Sequence, residues 1–169
     1  MVYWLTLLSD GGDFFNLFRY ITFRAGGAFL TSLLFGFVFG KPLINLLRRR
    51  QGRGQPIRSD GPEGHQSKAG TPTMGGALIL GALVVSTLLW ARLDNMHIWV
   101  VLFVTIGFGA IGFADDYAKV SKQTSAGVPG RVRLGLGFVI ALIAALVAAQ
   151  LHPEGLRLQV AVPVLKDAL

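Results

Sequence analysis

The sequence predicts an all-α protein, a polytopic membrane helical bundle with four transmembrane helices. Three observations carry that expectation. The chain of 169 residues is 52% hydrophobic and only 15% charged, and its mean hydropathy is +0.55, the balance of a bilayer protein rather than of a water-soluble domain. Four segments are apolar over a length able to cross roughly 30 Å of hydrocarbon at about 1.5 Å of rise per helical residue. The basic residues fall between these segments instead of along them, which gives the chain a sidedness in the membrane.

Taken in order, the N-terminal stretch MVYWLTLLSDGGDFFNLFRY has no basic region before its first apolar residues and carries Asp10 and Asp13. A cleaved signal peptide is therefore not expected. Its Trp4, Phe14, Phe15, Phe18 and Tyr20 suit a membrane interface. The first span is expected near residues 25 to 47, where Lys41 and Pro42 fall late enough for the lysine to snorkel and the proline to leave deep lipid. Residues 48 to 73 are too rich in glycine and proline for an ordinary helix and read as a loop. Further spans are expected near 74 to 91, 97 to 114 and 134 to 151, with a second loop over 115 to 133. Small residues recur at helix-packing spacing, Gly36 with Gly40 and Ala141 with Ala145 and Ala149.

The two loops and their margins hold eleven of the sixteen lysines and arginines, among them Lys41, Arg48 to Arg50, Lys68, Lys119, Lys122, Arg131 and Arg133. Only Arg19, Arg24, Arg92, Arg157 and Lys166 fall elsewhere, so the positive-inside rule puts both loops in the cytoplasm and both chain ends outside. The formal charge of +7 does not mark a nucleic-acid binder, because these residues are spaced by apolar segments and form no polar basic domain. With no cysteine, disulfide frameworks and thiolate metal sites are excluded.

Chemistry concentrates in two stretches. IGFADDYAKVSK, residues 111 to 122, ends an apolar run in Asp115 and Asp116. On a continuing helix Lys119 lies four residues after one and three after the other, within reach of both. One cation cannot neutralise two adjacent carboxylates, and the remaining charge invites a proton, a divalent cation or both. Oxygen ligands of this kind suit magnesium, which commonly joins one or two carboxylates to a phosphate-bearing substrate. Taken alone, the pair is equally accounted for by a helix end carrying solvated charges. The second stretch is SDGPEGHQSKAGTPTMGG, residues 59 to 76. Thr71 before Pro72, or Thr73, can cap the second span. Lys68, Gly70, Gly75 and Gly76 gather an ammonium, bare backbone amides and a helix N-terminus, a combination able to hold phosphate. His65 is read as a hydrogen-bonding residue and not as a metal ligand, and Arg48 to Arg50 as topology determinants.

Together, DGPEGHQSKAGTPTMGG and GFADDYAKVSK resemble the bacterial phospho-N-acetylmuramoyl-pentapeptide-transferase family, within the polyprenyl-phosphate N-acetylhexosamine phosphate transferases, and YITFRAGGAFLTSLLFG at residues 20 to 36 extends the likeness. The resemblance covers the whole chain as the N-terminal portion, residues 1 to 169, of one integral membrane transferase domain. It implies transfer of phospho-MurNAc-pentapeptide from its UDP carrier to undecaprenyl phosphate, with release of UMP and a requirement for Mg2+. Asp115 and Asp116 match the family's paired catalytic aspartates and candidate metal ligands. Lys68 and Thr73 match its loop residues near the nucleotide substrate, and Lys119 and Lys122 follow the pair as its basic residues do. Arg131 and Arg133 stand where many members carry lysine and glutamine. The family's later cytoplasmic aspartate and its histidine-rich loop are not in this chain, so the chain alone is expected to be inactive.

The implied setting is the bacterial cytoplasmic (inner) membrane, multi-pass, with the active face cytoplasmic. Membrane lipids, undecaprenyl phosphate and UDP-MurNAc-pentapeptide are the implied partners, and a homodimer is compatible with them. Direct attack by the lipid phosphate and an aspartyl-phosphate intermediate are both compatible with the residues. Two other readings stand beside this one: an ion-coupled transporter, since intramembrane carboxylates also serve translocation, and a non-catalytic membrane fragment.

Overall fold

The computed structural model describes residues 1–9, 12–51, 73–124 and 127–151. Within them every regular element is helical. Two short 3-10 helices, Val2–Leu8 and Phe14–Arg19, precede four α-helices: α1 Ile21–Gln51, α2 Gly76–Trp90, α3 Met96–Lys122 and α4 Gly130–Leu151. α1 packs along α2, α2 meets α3, and α3 packs along α4.

Helices α1, α3 and α4 are long and apolar enough to cross a membrane, whereas α2 is a shorter apolar helix. Its 15 residues reach only about 22 Å at 1.5 Å per residue. The expected four transmembrane helices are thus three candidate spans and one shorter helix. The cause lies at both ends of α2. Met74 adopts a left-handed φ of 75°, which stops the helix short of Thr73, and Ala91 turns extended with ψ 160°. Membrane character is plain from burial as well. Among the described residues only five hydrophobic side chains are buried, Phe18, Met74, Ala82, Leu102 and Ala144, while Phe37, Leu134 and Phe138 are 74%, 78% and 68% exposed. Apolar faces of this extent are matched by lipid or by further membrane helices and not by water. The chain is a multi-pass membrane protein.

Glycine allows the closest helix contacts. A Cβ on Gly27 would overlap the Trp90 indole, and one on Gly109 would overlap Leu80. Across the first contact, Trp90 Nε1 donates to Thr31 Oγ1 at 2.9 Å, and the Ser32 and Ser86 hydroxyls meet at 2.7 Å. Of the small residues singled out by spacing, Gly40 is buried and its Cβ position faces Leu78 of α2 at 3.7 Å, whereas Gly36, Ala141 and Ala145 behave differently. A Cβ on Gly36 would meet nothing within 4 Å, and Ala141 and Ala145 are exposed while their neighbour Ala144 is buried. Spacing identifies a face, but the partner decides which face is used.

The α1 N-terminus and α2 C-terminus form an aromatic end, where the Phe18 ring lies 5.3 Å from Phe23 and 6.2 Å from Trp90. In the turn after α2, Arg92 pairs with Asp94 at 2.6 Å and holds that carboxyl below its usual range. At the other end, α3 continues past residue 114 to Lys122, so the first part of the expected loop 115 to 133 is helix. It stops in a Schellman arrangement: Gln123 is left-handed, Thr124 N–H donates to Lys119 O at 3.2 Å and Gln123 N–H to Val120 O at 3.4 Å.

Candidate functional site

Four pieces of chain meet at the end opposite the aromatics: the last residue of α1, the approach to α2, the final turns of α3 and the entry to α4. The helical continuation of α3 puts Asp115 and Lys119 one turn apart, and their side chains pair at 2.7 Å between Nζ and Oδ2. The same ammonium lies 3.8 Å from Asp116 Oδ1. Lys119 therefore reaches both carboxylates, as the spacing requires.

The two aspartates are held differently. Asp115 is 6% exposed, and its Oδ1 accepts from the Val128 backbone N–H at 2.8 Å and faces Arg133 Nη2 at 3.5 Å. With Lys119 on Oδ2, both of its oxygens are engaged by donors or cations. This approach is possible because residue 127 is glycine: a Cβ there would run into the Asp115 carboxylate and the Lys119 Cε. Arg133 is anchored in turn by donating to Val128 O at 3.3 Å. Asp116 is more open, its side chain 31% exposed. Its Oδ2 accepts from Thr73 Oγ1 at 3.0 Å, and Oδ1 has the more distant Lys119.

Thr73 thus joins the carboxylate pair and does not cap α2. The residue at the N-cap of α2 is Gly75, with no side-chain cap bond, because the left-handed Met74 turns the chain between Thr73 and the helix. A further residue completes this arrangement. Gln51 Nε2 donates to Thr73 O at 3.1 Å, and Thr73 N–H donates to Gln51 Oε1 at 2.9 Å. Sequence reasoning missed Gln51, which reads as one more polar residue after three arginines. It also left Arg133 without a partner and gave Val128 no part.

Of the residues expected from the sequence, Asp115, Asp116, Lys119 and Thr73 come together. Lys122 is exposed and forms no ion pair among the described residues. Lys68, Gly70 and His65 lie outside the described residues. The first turn of α2 is brought alongside, since Gly76 and Met74 line the same cleft as Asp115 and Asp116.

Two apolar hollows open at the pair. One, of about 580 Å³, lies between α2 and α3 and is walled by Ala77, Leu80, Gly109 and Phe113. The other, of about 1120 Å³, lies between α3 and α4, with Phe108, Leu134 and Phe138 in its wall and Asp115, Arg131 and Arg133 also lining it. Charged groups and membrane-facing apolar surface are therefore contiguous.

Among the described residues no cluster of three or more histidine, aspartate or glutamate side chains forms. A fully protein-made metal cage is absent there. Magnesium needs less, since it binds through one or two carboxylates and completes its shell with water and phosphate. Asp116, with one oxygen not taken by a hydrogen bond in the described site, suits that demand better than Asp115, whose oxygens are already engaged.

Comparison with known proteins gives a consistent family. A family model described as phospho-N-acetylmuramoyl-pentapeptide-transferase signature 1 matches residues 68–80, the segment that contains Thr73 and the start of α2. The chain is 73% identical over 169 residues to a phospho-N-acetylmuramoyl-pentapeptide-transferase of a Ruegeria species, covering 100% of this chain and 47% of that protein. Proteins of the same name are 70% identical in Ruegeria pomeroyi over the whole chain and 47% of the relative, and 53% identical in Rhodopseudomonas palustris over 99% of the chain and 46% of the relative. The chain spans about half the length of the curated relatives it matches.

Proposed function

Because the chain belongs to the phospho-N-acetylmuramoyl-pentapeptide-transferase family, we propose that it contributes the aspartate-pair side of a magnesium-dependent phosphoglycosyl transferase site. The reaction moves phospho-MurNAc-pentapeptide from UDP to undecaprenyl phosphate at the cytoplasmic face of the inner membrane. One observation carries this reading: Thr73, inside the matched signature, donates to Asp116 of the aspartate pair. Two motifs separated by 43 residues form one site at the end of a membrane helix, beside apolar hollows suited to a lipid chain.

The bonding of the pair supports a division of roles. Asp115 is the electrostatic anchor. It fixes Lys119 and Arg133 at the site and keeps their positive charge close to where phosphate oxygens would gather. Asp116 faces the reacting groups, where it holds the metal, orients the lipid phosphate or takes its proton. A bound magnesium would spread the negative charge of the transferred phosphoryl group. Lys68 and Lys122 are assigned to substrate phosphate by their place in the family motifs. Arg131 and Arg133 add positive charge at the hollow between α3 and α4, where it can attract the lipid phosphate. We extend the proposal to membrane lipids as the surrounding solvent and to a homodimer as the assembly.

The test uses purified full-length enzyme carrying this segment, in detergent with magnesium, undecaprenyl phosphate and UDP-MurNAc-pentapeptide. UMP release matched by a lipid-linked product is expected. Absence of both in folded, membrane-inserted protein would remove the reading.

A further inference from the structure

We infer that Gln51 is a positioning residue for this transfer: by gripping the Thr73 backbone through both atoms of its amide, it aims the Thr73 hydroxyl at Asp116. The inference rests on the transferase reading above and adds a residue to it. Gln51 is the last residue of α1 and is only 8% exposed. Its side chain meets a residue 22 positions away, giving one bond from Nε2 to Thr73 O at 3.1 Å and taking one from Thr73 N–H at 2.9 Å. Opposed bonds to the N–H and C=O of one residue fix its position and its rotation together.

The side-chain chemistry is specific. The grip needs one donor and one acceptor on a single planar group. Glutamate lacks the donor, lysine lacks the acceptor, and asparagine is a methylene short. A flipped amide would set donor against donor and acceptor against acceptor, so the bonding itself selects the orientation. The need for a grip comes from the neighbouring residue. Met74 has a left-handed φ of 75°, a conformation that non-glycine residues hold only when their surroundings impose it. Released from Gln51, Thr73 has the freedom to turn its hydroxyl off Asp116 Oδ2, and the carboxylate loses the one hydrogen bond it accepts from a side chain among the described residues. The path from α1 to the reacting carboxylate is therefore Gln51, Thr73, Asp116.

The experiment compares Gln51→Met, Gln51→Glu, Thr73→Val and the double variants in the full-length enzyme, with kcat, both KM values and the thermal midpoint measured for each. Gln51→Met keeps length and bulk but makes neither bond. It is expected to lower kcat about ten-fold and to leave each KM within about two-fold. Gln51→Glu, which keeps the acceptor for Thr73 N–H, should fall between it and the parent. In the Thr73→Val enzyme, where the hydroxyl is already gone, Gln51→Met should change kcat by less than about two-fold, because the two residues act on one path.

A purely architectural Gln51 would lower the thermal midpoint and multiply its kcat effect onto that of Thr73→Val, and that result would overturn the inference. Parental kcat in Gln51→Met would do the same. If Gln51→Met does not accumulate, Gln51→Glu carries the same comparison. Asp116→Asn serves as the reference: an inactive Asp116→Asn beside an unaffected Gln51→Met discards only the Gln51 path, a fully active Asp116→Asn discards the role of Asp116 and the path with it, and a parental enzyme that releases no UMP discards the transferase reading beneath both.

Discussion

Substituting Gly127 by alanine tests the site at the point where its geometry is tightest. The added Cβ would overlap Asp115 Oδ1 and approach Lys119 Cε to 2.9 Å, well inside the roughly 3.5 to 4 Å at which carbon atoms pack. Lys119 has a flexible stem and can yield. Asp115 cannot yield cheaply, because its carboxylate is held at 2.7 Å by Lys119 and at 2.8 Å by Val128 N–H. Either the carboxylate turns or the loop withdraws by roughly 1 Å, and both motions break the Val128 bond, since N···O separations beyond about 3.5 Å no longer count as hydrogen bonds. A hydrogen bond to a charged group contributes about 1.5 to 3 kcal/mol. If that loss falls on the transition state, at about 1.4 kcal/mol per decade, the rate drops about 10- to 150-fold. The assay is UMP release by the purified full-length enzyme, with membrane insertion and thermal midpoint checked in parallel. In an Asp115→Asn background the same alanine should cost little further, because the bond it disturbs has already lost its charge. A folded Gly127→Ala enzyme with parental turnover would show that the Asp115 anchor has no part in the reaction.

Asp116→Asn should lose roughly 100- to 10,000-fold in transfer, as expected for removal of a general base or of a metal contact; a near-parental rate at ordinary magnesium would make the pair a solvated helix end. Raising magnesium separates those two roles, since it can restore a weakened metal site and cannot replace a lost proton acceptor. Lys119→Ala removes the cation shared by the pair, and should lower folding stability by roughly 2 kcal/mol as well as slowing transfer; an unchanged thermal midpoint would refute the strength of the Asp115 ion pair. Reporters fused after Arg53 and after Lys122 should read cytoplasmic, and one after Glu154 external; an external signal at either basic loop reverses the proposed orientation.

Much of this site was legible because it depends on local spacing. Asp115, Asp116 and Lys119 share less than two turns of helix, and the pairing of the lysine with both carboxylates follows from helical periodicity. Apolar length likewise located α1, α3 and α4. What sequence could not supply was the set of partners brought in by tertiary packing. Thr73 fits a capping pattern just before an apolar run, and nothing local shows that Met74 turns left-handed and delivers the hydroxyl to Asp116. Gln51 acts through its amide on a backbone far away in sequence, so no motif announces it. Val128 contributes only backbone groups, its N–H to Asp115 and its C=O to Arg133, which every non-proline residue has; the available signal was Gly127, whose missing side chain permits the approach. The short α2 escaped for a related reason, because hydropathy continues beyond the point where backbone geometry ends the helix.

Depth within the membrane is the property that separates the proposed transferase from an ion-coupled carrier. A carrier places its ionisable groups near the bilayer midplane, commonly where helices are broken. Here α3 is an uninterrupted helix from Met96 to Lys122, and Asp115 lies nineteen residues beyond its start, about 28 Å along the axis at 1.5 Å per residue. That is nearly the full thickness of roughly 30 Å of hydrocarbon, so the pair sits at one end of the span. The surrounding charges agree with this position. Lys119 and Arg133 compensate Asp115 and Asp116 in the described site, which favours fixed ionised groups over a pair that must load and release a cation during each cycle. A nucleotide-sugar substrate arriving from water and a phosphate carried by a lipid can both reach such a location, whereas an ion pathway would still have to cross the apolar length of α3. Titrating the full-length protein with UDP-MurNAc-pentapeptide in liposomes loaded with a pH-sensitive dye makes the distinction: binding without proton flux supports the surface site, and flux without nucleotide binding would sink it.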